Sequence, residues 1–351
     1  MPRSDIRLPP AFSGLRAGVG RPEARDSRVF ACWGDVPVDT PPRGKQSHVE
    51  SMKAHENIQA TEAHYVLACP TCGGRYEDSP HDFLLSCPEP HPPALLRAVY
   101  REKRLKTHPE HSGVFRFSDW LPIRRRLPGA SGPAVYRSTG LGPLLGLENL
   151  FVVFSGWWPE KGAMMETCTF KELEAQAVCG RVMDGWESAL VVSSAGNTAR
   201  AFHHACSRYD VPALIVVPRR GMSMLWSTGA RRPTVRLAVI DGGADYADAI
   251  ELGNGIAGTE GYYPEGGARN AARRDGMGTT VLCAVEAAGE IPDHYFQAVG
   301  SGTGAIGNDV RNFKGFTGNH ASNAWNSTCL SGSLHTVRNF EFAQVDLVGC
   351  L

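Results

Sequence analysis

A chain of 351 residues, 42% hydrophobic and 21% charged, has enough apolar material for a buried core and is not a wholly disordered protein. Equal numbers of basic and acidic residues, 36 each, give no electrostatic footprint for nucleic acid or an anionic membrane, and no apolar run approaches the ~20 residues of a membrane span. Ten cysteines in a chain of this size point to thiols or a metal site in a reducing compartment rather than to a disulfide scaffold.

Residues 1–60 carry Pro9-Pro10, Pro41-Pro42, many arginines and few apolar runs, and read as a disordered extension. Asp5, Glu23, Asp26 and Asp35 speak against an organelle transit peptide, so the cytoplasm is the expected setting. Residues 65–95 contain Cys69-Pro70-Thr71-Cys72-Gly73, then Cys87-Pro88 and His91. Two knuckle-like pairs separated by β-like segments resemble a small zinc ribbon, with Cys69, Cys72, Cys87 and His91 as the four ligands that tetrahedral zinc needs. A ribbon without metal and a redox C-x-x-C are the other readings. From Arg97 to Gly129 the chain is basic and aromatic and reads as a solvated linker with an irregular cap.

Regular alternation follows. Ala189–Ser193, Pro212–Val217, Val235–Ile240 and His294–Val299 read as strands, and Thr198–Tyr209, Tyr246–Leu252 and Thr279–Ala288 as helices. Continuous apolar strands alternating with helices predict a parallel α/β sheet covered on both faces, with ligands at the carboxyl ends of its strands. The turn before Asn197 and the loop at Gly300 are both expected at that edge.

Three stretches carry chemistry. In Val191–Phe202 an apolar run breaks into Ser193-Ser194-Ala195-Gly196, and a helix opens at Asn197-Thr198. A strand, a tight turn and a helix N-terminus make an anion site, here sized for a carboxylate. Lys171 opens another helix, where apolar neighbours and the helix dipole lower the pKa of its amine. Gly300-Ser301-Gly302-Thr303-Gly304 offers backbone N–H groups to a phosphate, and Ser301 and Thr303 add hydroxyls. Gly302, Gly304 and Gly307 also match a dinucleotide fingerprint, but no acidic residue follows at the required distance near Ser322. On physics alone, Arg269 and Arg273 in their glycine-rich segment read as solvated loop arginines, and His203-His204 as helix packing.

A lysine, then Ser-x-Gly-Asn-Thr, then a glycine phosphate loop resembles the order in pyridoxal-phosphate enzymes of the tryptophan synthase β-subunit fold (fold type II). The words CPTCGG, LSCP, TFKELEA, EGGARNAARRDGMGT and DHYFQAVGSGTG resemble one family in particular, the cysteate synthases, relatives of threonine synthase, across about residues 65–304. The resemblance implies a core over residues 96–304 that binds pyridoxal 5′-phosphate covalently at Lys171. Asn197 would bond the cofactor's 3′ oxygen, and Gly300, Ser301, Gly302, Thr303 and Gly304 would hold its phosphate. Ser194, Gly196 and Thr198 would take the substrate carboxylate, and Arg269 and Arg273 would bind anions. The implied reaction is a β-replacement in which O-phospho-L-serine loses phosphate and gains sulfite, giving L-cysteate, a step toward coenzyme M. Lys171 would remove the α-proton.

The partners are then a small anionic amino acid and sulfite, with no nucleic acid or membrane, and a homo-oligomer is left open. A threonine synthase-like enzyme acting on O-phosphohomoserine, or an inactive, interaction-only chain, are the alternatives. Residues 305–351 are rich in Asn, Gly, Ser and His and read as coil, a truncated or divergent tail with no element that completes the sheet and no placeable contact to the cofactor's pyridine nitrogen.

Overall fold

The computed structural model describes residues 64–79, 83–292, 294–297 and 302–307, and the strands Val29–Phe30 and Gln344–Cys350. The disordered extension expected over 1–60 lies outside the described residues apart from Val29–Phe30, as do Gly300 and Ser301.

After β1 (Val29–Phe30), a three-stranded antiparallel sheet forms from β2 (Tyr65–Ala68), β3 (Arg75–Tyr76) and β4 (Arg97–Tyr100), in the order β3-β2-β4. Alternation of Tyr65 and Leu67 inward with Val66 and Ala68 less buried is the signature of a sheet with one face on a core. β5 (Ala134–Arg137), the short helix α1 (Leu141–Leu145) and β6 (Asn149–Ser155) follow, then the small hairpin of β7 (Trp157–Trp158) and β8 (Ala163–Met164). Helix α2 (Lys171–Arg181) leads into β9 (Ala189–Ser193), α3 (Asn197–Tyr209), β10 (Ala213–Pro218), β11 (Val235–Ile240), α4 (Tyr246–Ala257), β12 (Tyr262–Pro264) and α5 (Ala271–Ala288). β13 (His294–Phe296), α6 (Thr303–Gly307) and β14 (Gln344–Cys350) complete the described order.

β11, β10, β9 and β12 form the expected parallel sheet, in that order, with β1 antiparallel on the β11 edge. All six residues of β10 are buried, the pattern of a strand covered on both faces. Its neighbours sort by parity. Leu190, Val192, Ala213, Ile215 and Val235 share a core with Leu173 and Ala177 of α2 and Phe202 and Cys206 of α3. Val191, Leu214, Val216 and Ile240 pack instead against Ala249 and Ile256 of α4. Asp245 starts α4 with a capping box, accepting from the Ala247 and Asp248 amides while its own N–H bonds the Asp248 carboxylate at 2.6 Å.

Four expectations are corrected. β13 does not extend the parallel sheet: it lies in a second, antiparallel sheet of order β13-β14-β6-β5, and the end of the expected strand and Gly300 lie outside the described residues. The tail is not all coil. β14 pairs along its whole length with β6 and on its other edge with β13, and the alternating Val345-Asp346-Leu347 is the period-two signal that its polar neighbourhood hid. The Arg97–Gly129 stretch is not a solvated linker, since Val114, Phe115, Phe117, Trp120 and Leu121 are buried. α5 begins eight residues before Thr279, because its glycines Gly276 and Gly278, poor helix formers in isolation, are buried and held by tertiary contacts.

Candidate active site

β9 and β12 are adjacent parallel strands, and both lead to the same edge. β9 ends at Ser193 and turns through Ser194-Ala195-Gly196 into α3; β12 ends at Pro264 and passes through Glu265 toward α5. Asn270 caps α5, its side chain accepting from the Ala272 amide at 3.0 Å. No side chain caps α3, whose first amides therefore keep their hydrogen-bonding capacity at the sheet edge.

Lys171 is the first residue of α2. Its Nζ bonds Glu174 Oε1 at 2.5 Å and lies 4.6 Å from the Phe170 ring centre. Glu174, fully buried, accepts from Arg273 Nε at 2.5 Å through its other oxygen. Arg273 in turn donates to Glu265 Oε2 at 2.7 Å and to the Thr198 hydroxyl at 3.2 Å. One polar chain thus runs from the Lys171 amine through α5 to the first turn of α3. Burial lowers the Lys171 amine below the usual lysine range, with Glu174 pulling the other way. Burial likewise lifts the Glu265 carboxyl above its ordinary value, against the Arg273 charge.

The close packing behind this chain is set by Gly276 on α5. A Cβ there would stand 2.6 Å from the Leu173 carbonyl oxygen and 2.7 Å from Ala177 Cβ, so only glycine lets the two helices approach this closely. α6 seats on the same stretch of α5, with Gly307 against the Arg274 carbonyl, and the preceding Gly302 takes φ +80°, a left-handed value that suits glycine. The first turns of α5 therefore touch both the helix that carries Lys171 and the helix that follows the glycine loop.

The structure brings together Lys171, Thr198 and Arg273, and sets Ser194, Gly196 and Asn197 in the same turn. It changes the picture of Arg273, whose guanidinium is engaged by two carboxylates and a hydroxyl rather than held open for substrate. Arg269 is exposed in the turn before α5, away from this chain of contacts. Sequence reasoning missed Glu174, Glu265 and Arg200. Glu174 was detectable as an i,i+3 partner of Lys171 on a helix. Glu265 and Arg200 carry no local signal. Arg200 projects from the first turn of α3 and donates to Asn197 Oδ1 at 2.9 Å.

At the ribbon, the ligand atoms of Cys69, Cys72, Cys87 and His91 all lie within 4.8 Å of one another. Cys72 and Cys87 Sγ are 3.7 Å apart, and Cys69 Sγ is 3.3 Å from His91 Nε2. Tetrahedral zinc ligands stand about 3.5–3.8 Å from each other, from Zn–S and Zn–N lengths of about 2.3 and 2.0 Å. The Gly74 amide donates to Cys72 Sγ at 3.4 Å, and His91 Nδ1 lies 2.7 Å from the Pro92 carbonyl, an outer contact that leaves Nε2 facing the cysteines. Burial pushes the Cys87 thiol up, but bonds from Tyr76, the Glu89 amide and His91 bring it down to about 6, favouring the thiolate that binds metal.

The ribbon is clasped to the core. Arg181, the last residue of α2, meets Asp78 through Nε and Nη2 at 2.7 Å each and donates through Nη1 to Asn270 Oδ1 at 2.8 Å. Tyr65 donates to the same aspartate at 2.6 Å. No helix among the described residues is long and apolar enough to cross a membrane.

Residues 158–310 match the family described as pyridoxal-phosphate dependent enzyme. The cysteate synthase of Methanoculleus marisnigri is 48% identical over 242 residues, which cover 69% of this chain and 54% of that protein. The cysteate synthase of Methanosarcina acetivorans is 45% identical over 242 residues, with coverage of 69% and 57%. The chain spans about half the length of the curated relatives it matches. A solved maize serine racemase overlaps 52% of this chain and 54% of its own at a TM-score of 0.41 and 20% identity. This chain resembles the cysteate synthases, and its residues 158–310 resemble the pyridoxal-phosphate dependent enzyme family.

Proposed function

We propose that this chain binds pyridoxal phosphate at Lys171 and replaces the phosphate of O-phospho-L-serine with sulfite, forming L-cysteate. The observation that carries the reading is the polar chain Lys171–Glu174–Arg273–Thr198, which ties the amine to the free N-terminus of α3. The residues present fit the cofactor. The Lys171 amine is largely shielded and depressed in basicity, so more of it is the nucleophilic free base near neutral pH. Asn197 is exposed at the mouth of the turn, and a side chain at Gly196 would meet no atom within 4 Å, which leaves space beside both. Gly302, Thr303 and Gly304, with Gly300 and Ser301 beyond the described residues, would hold the phosphate. Bound there, the cofactor supplies an electron sink for the substrate α-carbon.

The protein's own residues do the rest. Ser194, Gly196 and Thr198 would orient the substrate carboxylate against the α3 amides. Lys171, released when substrate takes its place, would hold the α-proton on Nζ, with Glu174 beside it to stabilise the charge it gains. Phosphate leaves and sulfite enters, and each is an anion. Arg269 stays a candidate for their approach, and Arg273 would act through Glu174 and Thr198. The partners of this reading are a small anionic amino acid and sulfite, in the cytoplasm, and the four ribbon residues Cys69, Cys72, Cys87 and His91 would hold one zinc ion with a structural role.

Absorption of the purified chain with added cofactor, borohydride trapping and peptide mapping test the first half. A visible band with label on Lys171 is expected. Phosphate release is then assayed from O-phospho-L-serine and from O-phosphohomoserine, each with and without sulfite. Release from O-phosphohomoserine alone would reject the cysteate reading in favour of a threonine synthase-like one. Metal analysis should find about one zinc per chain, falling to none in Cys87→Ser.

A further inference from the structure

Buried arginines need partners for their charge, and this chain has several to compare. Arg181 has both oxygens of Asp78, Arg273 has Glu174 and Glu265, and Arg274 donates to the Ala268 and Leu96 carbonyls. Arg200 is only 6% exposed and has none of these. Its contacts are Asn197 Oδ1 at 2.9 Å and the Met224 carbonyl at 3.4 Å, and its buried Nε has no hydrogen-bond partner. Among the described residues no carboxylate lies within ion-pair distance of it. Trp226 lies beneath the guanidinium, which stands 4.4 Å from the ring centre and so keeps its plane fixed.

We infer that Arg200 is the anion-recognising side chain of this site and takes a small oxyanion of phosphorus or sulfur beside the N-terminus of α3. Its position supports this. A helical side chain leans toward its own N-terminus, and the bond to Asn197 shows Arg200 doing so. There the uncapped amides, the open space at Gly196 and the guanidinium converge. A planar guanidinium with N–H groups left over after its bonds to Asn197 and Met224 matches two oxygens of one anion. The backbone turn alone suffices for an amino-acid carboxylate, so the additional charge is assigned to a second anionic group. The inference deepens the proposed reaction and rests on it only for the source of the oxyanion, which is either the departing phosphate or the incoming sulfite.

The test titrates the full chain, preincubated with pyridoxal phosphate, with inorganic phosphate, sulfite or acetate, and follows the thermal midpoint. Wild type should be stabilised by at least one of the first two. Arg200→Gln should weaken that response about tenfold, the loss expected for one charge-assisted contact, and leave the acetate response alone. Loss in the phosphate arm assigns Arg200 to the leaving group, and loss in the sulfite arm to the nucleophile. Arg200→Lys keeps the charge without the fork and should fall between; it decides the matter if the glutamine variant does not fold. Equal responses in wild type and variants, or no response in wild type, overturn the inference. Borohydride trapping on Lys171 is scored separately, and the titrations are repeated without cofactor. Absent trapping with an Arg200-dependent oxyanion response would reject the proposed reaction and keep the oxyanion site.

Discussion

The two ends of α2 handle buried charge in opposite ways. At the C-terminal end, Arg181 is surrounded: two aspartate oxygens, an asparagine oxygen and the Leu84 carbonyl take its N–H groups, and the Phe83 ring covers its face. At the N-terminal end, Lys171 has one carboxylate oxygen, which belongs to a glutamate shared with Arg273, and among the described residues no carboxylate hydrogen-bonds Arg200. A satisfied network holds structure in place. An incompletely satisfied one retains free energy that a ligand can release, which is why the proposed chemistry is placed at that end.

The largest expected break is at the open end. Lys171→Ala should abolish both the visible absorbance and the borohydride-trapped peptide, because no other amine occupies its place in the polar chain. A surviving band would move the anchor elsewhere. The closed end should answer in stability instead. Asp78→Ala leaves Arg181 buried without its counter-ion and should cost about 3–5 kcal/mol in urea unfolding. The pair Asp78→Leu with Arg181→Met should cost less than either single change, since neither charge is then stranded.

Between the ends, Gly276→Ala pushes a methyl against the Leu173 carbonyl and Ala177 and should cost about 1–3 kcal/mol, measured the same way, with some loss of cofactor affinity as the helices separate. The smallest effect is a shift in titration. Burial lowers the Lys171 amine and Glu174 raises it, so Glu174→Gln removes the raising influence. The pH midpoint for modifying Lys171 with an amine reagent should move down; an upward move would show that the Glu174 carboxylate is not what holds the amine's basicity up.

Much of this was legible in the chain. β9 and β11 match the expected ranges end to end, because continuous apolar runs bounded by small or polar residues have one good solution in a covered sheet. The start of α2 at Lys171 was visible too, as was the clustering of Cys69, Cys72, Cys87 and His91. The partners were not. Glu265 reaches Arg273, and Asp78 reaches Arg181, only after strands and helices distant in sequence have docked. The same holds for β14, whose seven residues acquire meaning only between β6 and β13. For the arginines the sequence was misleading, because residue type says that a guanidinium seeks an anion but not whether the fold already provides one.

The Asp78 clasp bears on how the molecule comes apart. A ribbon of about thirty residues is too short to bury a core of its own, and this one borrows the end of α2 and the cap of α5. Calorimetry should therefore show a single endotherm rather than a shoulder followed by a peak. If the proposed zinc is bound, treatment with a chelator should shift that whole endotherm to lower temperature, so that an ion among three cysteines and a histidine would govern the heat resistance of a lysine it never touches.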